Sequence, residues 1–197
     1  PHPGLPHRER HRRPDRGHGA RALTAVRERR RDRPRDAHPP GRPAGAERLT
    51  PTRAYASDCL ALAADDTAQV HAFTHVTGGG LAANLARVLP AGLVGVVDRG
   101  SWDVPPVFRL LRELGGVPRG DLENTLNLGV GMVAVVGADG VDAALARCAA
   151  LGVSAWVLGT VEAFDPDAAR DLADGDLVAG TKGVQAGAVR LVGDYRP

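Results

Sequence analysis

The chain has 197 residues, with 25 basic and 23 acidic side chains, 43% hydrophobic residues and a formal charge of +2 at neutral pH. That apolar fraction suffices for a folded core, and no apolar run approaches the roughly 20 residues needed to span a bilayer, which excludes a membrane-spanning helix. The near-neutral total conceals two different polymers: residues 1–48 hold 14 of the basic and 6 of the acidic residues and 8 of the 15 prolines, so they carry +8 while the remainder carries −6.

Residues 1–48 are expected to be disordered. Strings such as Arg27-Glu28-Arg29-Arg30-Arg31-Asp32-Arg33 cannot bury enough surface to offset ordering entropy, and only Ala20 to Val26 shows any apolar pattern. A nucleic-acid arm is not expected, because the segment has no Lys and no interleaved aromatic residue. Its richness in Arg, Pro, His, Gly and Ala also fits a GC-rich gene read out of frame.

From Leu49 onward the chain reads as one folded domain, 49–165, with a C-terminal extension, 166–197. A helix is expected over about 51–64, with Pro51 in its first turn, where a missing N–H costs nothing. A strand follows over Val70–Val76, and then the run Thr77-Gly78-Gly79-Gly80 leads into a helix. There Leu81, Leu85, Val88 and Leu89 recur at offsets of three and four until Pro90 stops the chain. Three successive glycines free the backbone to take φ > 0 and to approach a ligand, so the loop is either a plain tight turn or a cradle for an anion at a helix start. Asn84, one turn in, is either a solvated helix position or a donor to a phosphate or ribose hydroxyl.

His71 and His75 are spaced four apart on the preceding strand. They are either imidazoles bonded to backbone or, for His75 beside the glycines, a candidate catalytic group for proton transfer near neutral pH. No third ligand lies near them in sequence, so no metal site is expected. A strand over Leu93–Asp98 leads to Asp98 and Arg99 in a tight turn, read as a local ion pair, and to helices over 105–114 and 119–125. Gly129 and Gly131 open an apolar strand to Val136, where glycine marks a bulge or a close backbone approach. A helix over Val141–Leu151 and a strand over Ala155–Val161 follow, and Leu177 to Val192 forms a short hairpin or trails off. Cys59 and Cys148 have no paired metal-ligand spacing, which suits buried thiols in a cytoplasmic protein. Alternating strands and helices by themselves suggest a parallel α/β sheet.

Four runs together resemble a known family in its order. They are Leu49-Thr50-Pro51-Thr52-Arg53-Ala54-Tyr55; His71 through Leu81 with the glycine triplet; Asp98-Arg99-Gly100-Ser101-Trp102-Asp103-Val104-Pro105-Pro106; and Thr125-Leu126-Asn127-Leu128-Gly129-Val130-Gly131-Met132. They resemble the C-terminal half of phosphoribosylformylglycinamidine cyclo-ligase, also called aminoimidazole ribonucleotide synthetase. The resemblance implies an α+β domain, with a mixed sheet layered with helices, rather than a parallel α/β sheet. It implies a ring closure in purine biosynthesis that takes formylglycinamidine ribonucleotide as substrate and consumes ATP with Mg²⁺. It places substrate phosphate near Thr77, Gly78, Gly79, Gly80 and Asn84, and a cleft near Asp98, Arg99, Gly129 and Gly131. It further implies an N-terminal ATP-binding domain, whose signature does not occur in this sequence, and a homodimer in the complete enzyme. The expected reading is therefore an inactive C-terminal fragment of the cyclo-ligase. Its alternative is a non-catalytic phosphate- or nucleotide-binding module acting with a separate ATP-binding chain.

Overall fold

The computed structural model describes residues 21–27, 53–167, 176–180 and 186–196. One interior strand of its sheet lies where the sequence reading placed a disordered tail. Strand β1 (Arg21–Arg27) lies between β4 (Val130–Gly137) and β5 (Ala155–Ala163) and pairs antiparallel with both. Leu23 sits opposite Val135 on one side and Gly159 on the other. The expectation of disorder over 1–48 is corrected for these residues, and the rest of that segment lies outside the described residues. The physical reason is coverage of both faces: Ala22, Leu23 and Thr24 are all buried, so β1 needs no polar alternation and carries no strand signature among its charged neighbours.

The remaining elements are α1 (Ala56–Ala63), β2 (Val70–His75), α2 (Gly80–Ala86), β3 (Leu93–Asp98), α3 (Pro106–Gly115), α4 (Arg119–Thr125), α5 (Val141–Ala150), β6 (Leu177–Ala179) and β7 (Ala188–Val192). All the strands join one sheet in the order β2-β4-β1-β5-β3-β7-β6. Every pairing is antiparallel except β3 with β7, so the sheet is mixed and the domain is α+β, as the family resemblance implies. The hairpin reading of the C-terminal region holds for β6 and β7. What the sequence did not show is that β7 also completes the sheet beside β3, with Val189 wholly buried.

Helices cover both faces. On one, Leu81, Ala82, Leu85 and Ala86 of α2 pack with Leu23, Val97, Val133, Leu158 and Val189. On the other, Leu62 of α1 and Ala144 and Cys148 of α5 pack with Ala22, Met132, Ala134 and Val136. Strand β4 serves both clusters and is buried along its whole length, its alternate side chains turning to opposite faces.

Two helices are shorter than their apolar spacing suggests. Helix α1 begins at Ala56, and Pro51, expected in its first turn, lies outside the described residues. Helix α2 ends at Ala86 rather than running to Leu89. The residue before a proline is disfavoured in the helical region, and the chain tightens ahead of Pro90 through a Val88 N–H to Leu85 carbonyl bond of 3.1 Å. Leu89 remains in the core although it has left the helix.

Because Leu23 is fully buried between two partner strands, Leu23→Ala is expected to cost about 2–5 kcal/mol of unfolding free energy. Denaturant unfolding checks this, and a change within about 0.5 kcal/mol, as at a surface position, would place β1 outside the core.

Candidate functional site

The glycine run forms the turn between β2 and α2. Gly79 and Gly80 have φ of +96° and +70°, and the Gly80 N–H donates to the Thr77 carbonyl at 3.2 Å. Asn84 closes the loop from inside. Its amide nitrogen donates to the Gly80 carbonyl at 2.6 Å and, at 3.3 Å, to the carbonyls of Gly78 and Thr77. The Thr77 hydroxyl donates to Asn84 Oδ1 at 3.4 Å, and Arg87 reaches the same oxygen. Asn84 is 0% exposed, so it is not the solvated helix position that the sequence allows. It is spent on the loop's own carbonyls. Thr77 and Gly78 form the exposed rim, with open space around Gly78. Helix α2 has only seven residues, so its macrodipole adds little and any anion preference rests on the loop amides.

His75 does not join this loop. Its neighbour Thr74 is buried toward α2 and donates its hydroxyl to the Asn84 carbonyl at 2.9 Å, which turns His75 to the opposite face. There the exposed imidazole meets Tyr55 edge-on, with ring centroids 5.5 Å apart. His71 is exposed beside a bulge between Val70 and Ala72, which interrupts the alternation assumed for the pair.

Asp98 and Arg99 are adjacent without pairing. Asp98 accepts from the Gly100 N–H at 2.8 Å and caps the turn Arg99–Ser101. Arg99 points inward, 2% exposed, and grips Glu123 of α4 with both ends of its fork, Nε to Oε1 at 2.8 Å and Nη2 to Oε2 at 3.1 Å. The same Nη2 donates to Asp176 at 2.7 Å, and Nη1 donates to the Gly193 carbonyl at 3.4 Å. Burial alone would lower the pKa of this guanidinium, but hydrogen bonds and charge from Glu123 and Asp176 outweigh it and hold the pKa above its ordinary value. Arg99 is thus a fixed cation rather than a proton donor.

Tyr195 completes the cluster. Its ring meets Trp102 edge-on, with ring centroids 5.3 Å apart. Trp102 donates its indole N–H to the Leu128 carbonyl at 3.0 Å, fixing a residue that holds φ +49° without being glycine. Gly129 follows at φ +94°. Gly131 lies where the β1–β4 register shifts, and a Cβ there would stand 1.8 Å from the Tyr55 hydroxyl. Both glycines therefore mark close backbone approaches, one of the readings offered by the sequence.

One contact connects the charge cluster to the loop. A Cβ on Gly80 would stand 1.7 Å from the Glu123 carbonyl oxygen, so the loop rests on the final turn of α4. Glu123, Asp176 and Tyr195 did not emerge from the sequence. Glu123 lies in a short polar stretch that gives no mark of burial, and Asp176 and Tyr195 lie 77 and 96 positions beyond Arg99.

Among the described residues no three His, Cys, Asp or Glu side chains gather to hold a metal ion, and the buried carboxylates are already committed to Arg99. Both cysteines are free thiols. Burial, and then the charge of Asp58, raises their pKa, which leaves them protonated and unreactive at neutral pH. No helix of the described residues is long and apolar enough to cross a membrane.

Burial, and then the charge of Glu123, pushes the Tyr195 phenol well up. A folded pKa above the unfolded value stabilises the protein fully below the unfolded value, and that contribution disappears as pH rises through the folded one. The denaturation midpoint is therefore expected to fall from about pH 10 upward, the ordinary tyrosine value, and to fall less in Tyr195→Phe. Equal alkaline slopes in the two proteins would show that Tyr195 is not held protonated by the fold.

Comparison with known proteins agrees with this architecture. A model of the family "AIR synthase related protein, C-terminal domain" matches residues 13–170. A Streptomyces fradiae protein provisionally named phosphoribosylformylglycinamidine cyclo-ligase is 51% identical over 155 residues, covering 79% of this chain and 76% of the relative. The phosphoribosylformylglycinamidine cyclo-ligase of Symbiobacterium thermophilum is 47% identical over 122 residues, covering 62% of this chain and 34% of the relative. That of Pseudothermotoga lettingae is 38% identical over 140 residues, covering 71% and 36% respectively. The chain thus spans about a third of the length of the last two. Over the mixed sheet, the glycine loop and the Arg99 turn, it belongs to the AIR synthase related family of the phosphoribosylformylglycinamidine cyclo-ligases and carries that family's C-terminal domain.

Proposed function

We propose that this domain binds and orients formylglycinamidine ribonucleotide for the ATP-dependent ring closure of purine biosynthesis, with the substrate phosphate received at Thr77–Gly80. The observation that carries the reading is the loop's construction. Asn84 occupies the carbonyls of Thr77, Gly78 and Gly80 from inside, and the rim at Thr77 and Gly78 is exposed. An anion recognised there would meet the backbone N–H groups of the exposed rim. Such a cradle is insensitive to pH and selects charge and size rather than base.

The work assigned to this chain is positional. Holding a reacting group near its partner supplies much of the barrier reduction in an intramolecular closure, and rigid support makes that holding effective. The chain spans about a third of the length of two of its relatives, and handling of ATP is assigned to the part it does not span. Homodimer formation belongs to that larger assembly. Asp98 caps its own turn, and Arg99 acts on the cradle through Glu123.

An assay of ADP release with ATP, Mg²⁺ and formylglycinamidine ribonucleotide tests the division of labour. The 197-residue chain alone is expected to be silent, and turnover is expected when its residues replace the matched region of the Symbiobacterium thermophilum relative. Turnover by the chain alone would place the ATP site within it. A silent, folded chimera whose loop amides ignore the substrate would support a different binding role.

A further inference from the structure

We infer that Arg99 and Glu123 are positioning residues for the glycine loop, and that the C-terminal residue Asp176 is coupled to anion binding through them. The inference rests on the reading of Thr77–Gly80 as a phosphate cradle, and it concerns how the cradle is held in shape.

The loop is clamped from two sides. Inside, Asn84 takes its carbonyls. Beneath, Gly80 lies on α4, where a Cβ would stand 1.7 Å from the Glu123 carbonyl oxygen, 2.8 Å from its carbonyl carbon and 3.4 Å from the Asn124 carbonyl carbon. No side chain intervenes, so displacement of the Glu123 backbone passes directly to the Gly80 backbone. That position is set by the last turn of α4, closed by a Leu126 N–H to Leu122 carbonyl bond of 2.8 Å, and by the Glu123 side chain in the fork of Arg99.

A buried ion pair is a poor choice for stability alone, since apolar residues of similar volume often do as well once desolvation is counted. What a bidentate guanidinium–carboxylate pair adds is a fixed distance and a fixed plane. Here that geometry is imposed on a residue whose own backbone supports the loop. The second carboxylate on Arg99, Asp176 at 2.7 Å, comes from the C-terminal region, beyond β5. Trp102 joins the same group, holding the Leu128 carbonyl from one side and the Tyr195 ring from the other. Ordering of the C-terminal residues and ordering of the loop therefore share one node.

Nuclear magnetic resonance of the full ¹⁵N-labelled chain tests this, with inorganic phosphate as the probe. The readouts are the amide shifts and exchange rates of Gly78, Gly79 and Gly80, set beside unfolding stability. Glu123→Gln and Asp176→Asn are each expected to move the Gly79 and Gly80 amides and to weaken phosphate binding roughly tenfold. The decisive variant is the charge-free set Arg99→Met/Glu123→Leu/Asp176→Asn, which recovers stability by packing without restoring the fork. Recovered stability with displaced loop amides supports positioning. Recovered stability with loop amides and phosphate affinity like the parent's overturns it and leaves the cluster a structural element. A parent chain whose loop amides ignore phosphate removes the cradle reading, while the amide positions in the variants still decide whether Arg99 and Glu123 set the loop.

Discussion

The backbone contact between Gly80 and the Glu123 carbonyl is the constraint on which the rest of this domain depends. It requires the absence of a side chain at Gly80, a left-handed φ of +70° there, and a helix end that stays in place beneath it. Each requirement is met by a different part of the chain. The glycine comes from the loop, the helix end is α4, and its fixation comes from Arg99 in the turn after β3. Because the contact is backbone to backbone, it tolerates little adjustment by rotamer changes, which makes the loop a rigid feature instead of an adaptable one.

The sheet supplies the frame for that contact. Strand β4 leads out of the Leu128–Gly131 region and is buried throughout, β1 holds it to β5, and β3 delivers Arg99 to the same end of the molecule. The charge cluster then ties this end to the C-terminal residues. Its electrostatics are close to balanced, with Arg99 and Arg119 facing Glu123, Asp176 and Asp194. The pairs differ in environment: Arg99 with Glu123 is desolvated and geometrically fixed, whereas Arg119 with Asp194 is exposed and contributes at most about 1 kcal/mol.

Legibility from sequence followed local chemistry. Strand β3 and helix α4 fall on the residues expected, β3 because its short apolar run lies between Gly92 and Gly100, and α4 because Pro118 marks its start. The mixed sheet was reached through resemblance and not through periodicity, since alternating strands and helices point to parallel pairing until the register is known. Strand β1 was hidden because burial on both faces removes alternation and its neighbours are highly charged. Asn84 could be placed on a helix but not assigned its partners, since a buried amide and a ligand-facing amide look alike in sequence. His75 illustrates the reverse: adjacency to the glycines suggested a role at the loop, and strand alternation sends it to the far face. The Arg99 cluster joins residues too distant in the chain for any local pattern to record.

The measurement that tests the account most directly is the unfolding free energy of Gly80→Ala beside that of Gly78→Ala. Gly78 has nothing within 4 Å of a built Cβ and no positive φ, whereas Gly80 has both the overlap with Glu123 and the left-handed backbone. The account predicts a loss greater than about 3 kcal/mol for Gly80→Ala and a change of less than about 1 kcal/mol for Gly78→Ala. Similar values for the two substitutions would contradict it, because the loop would then not rest on α4.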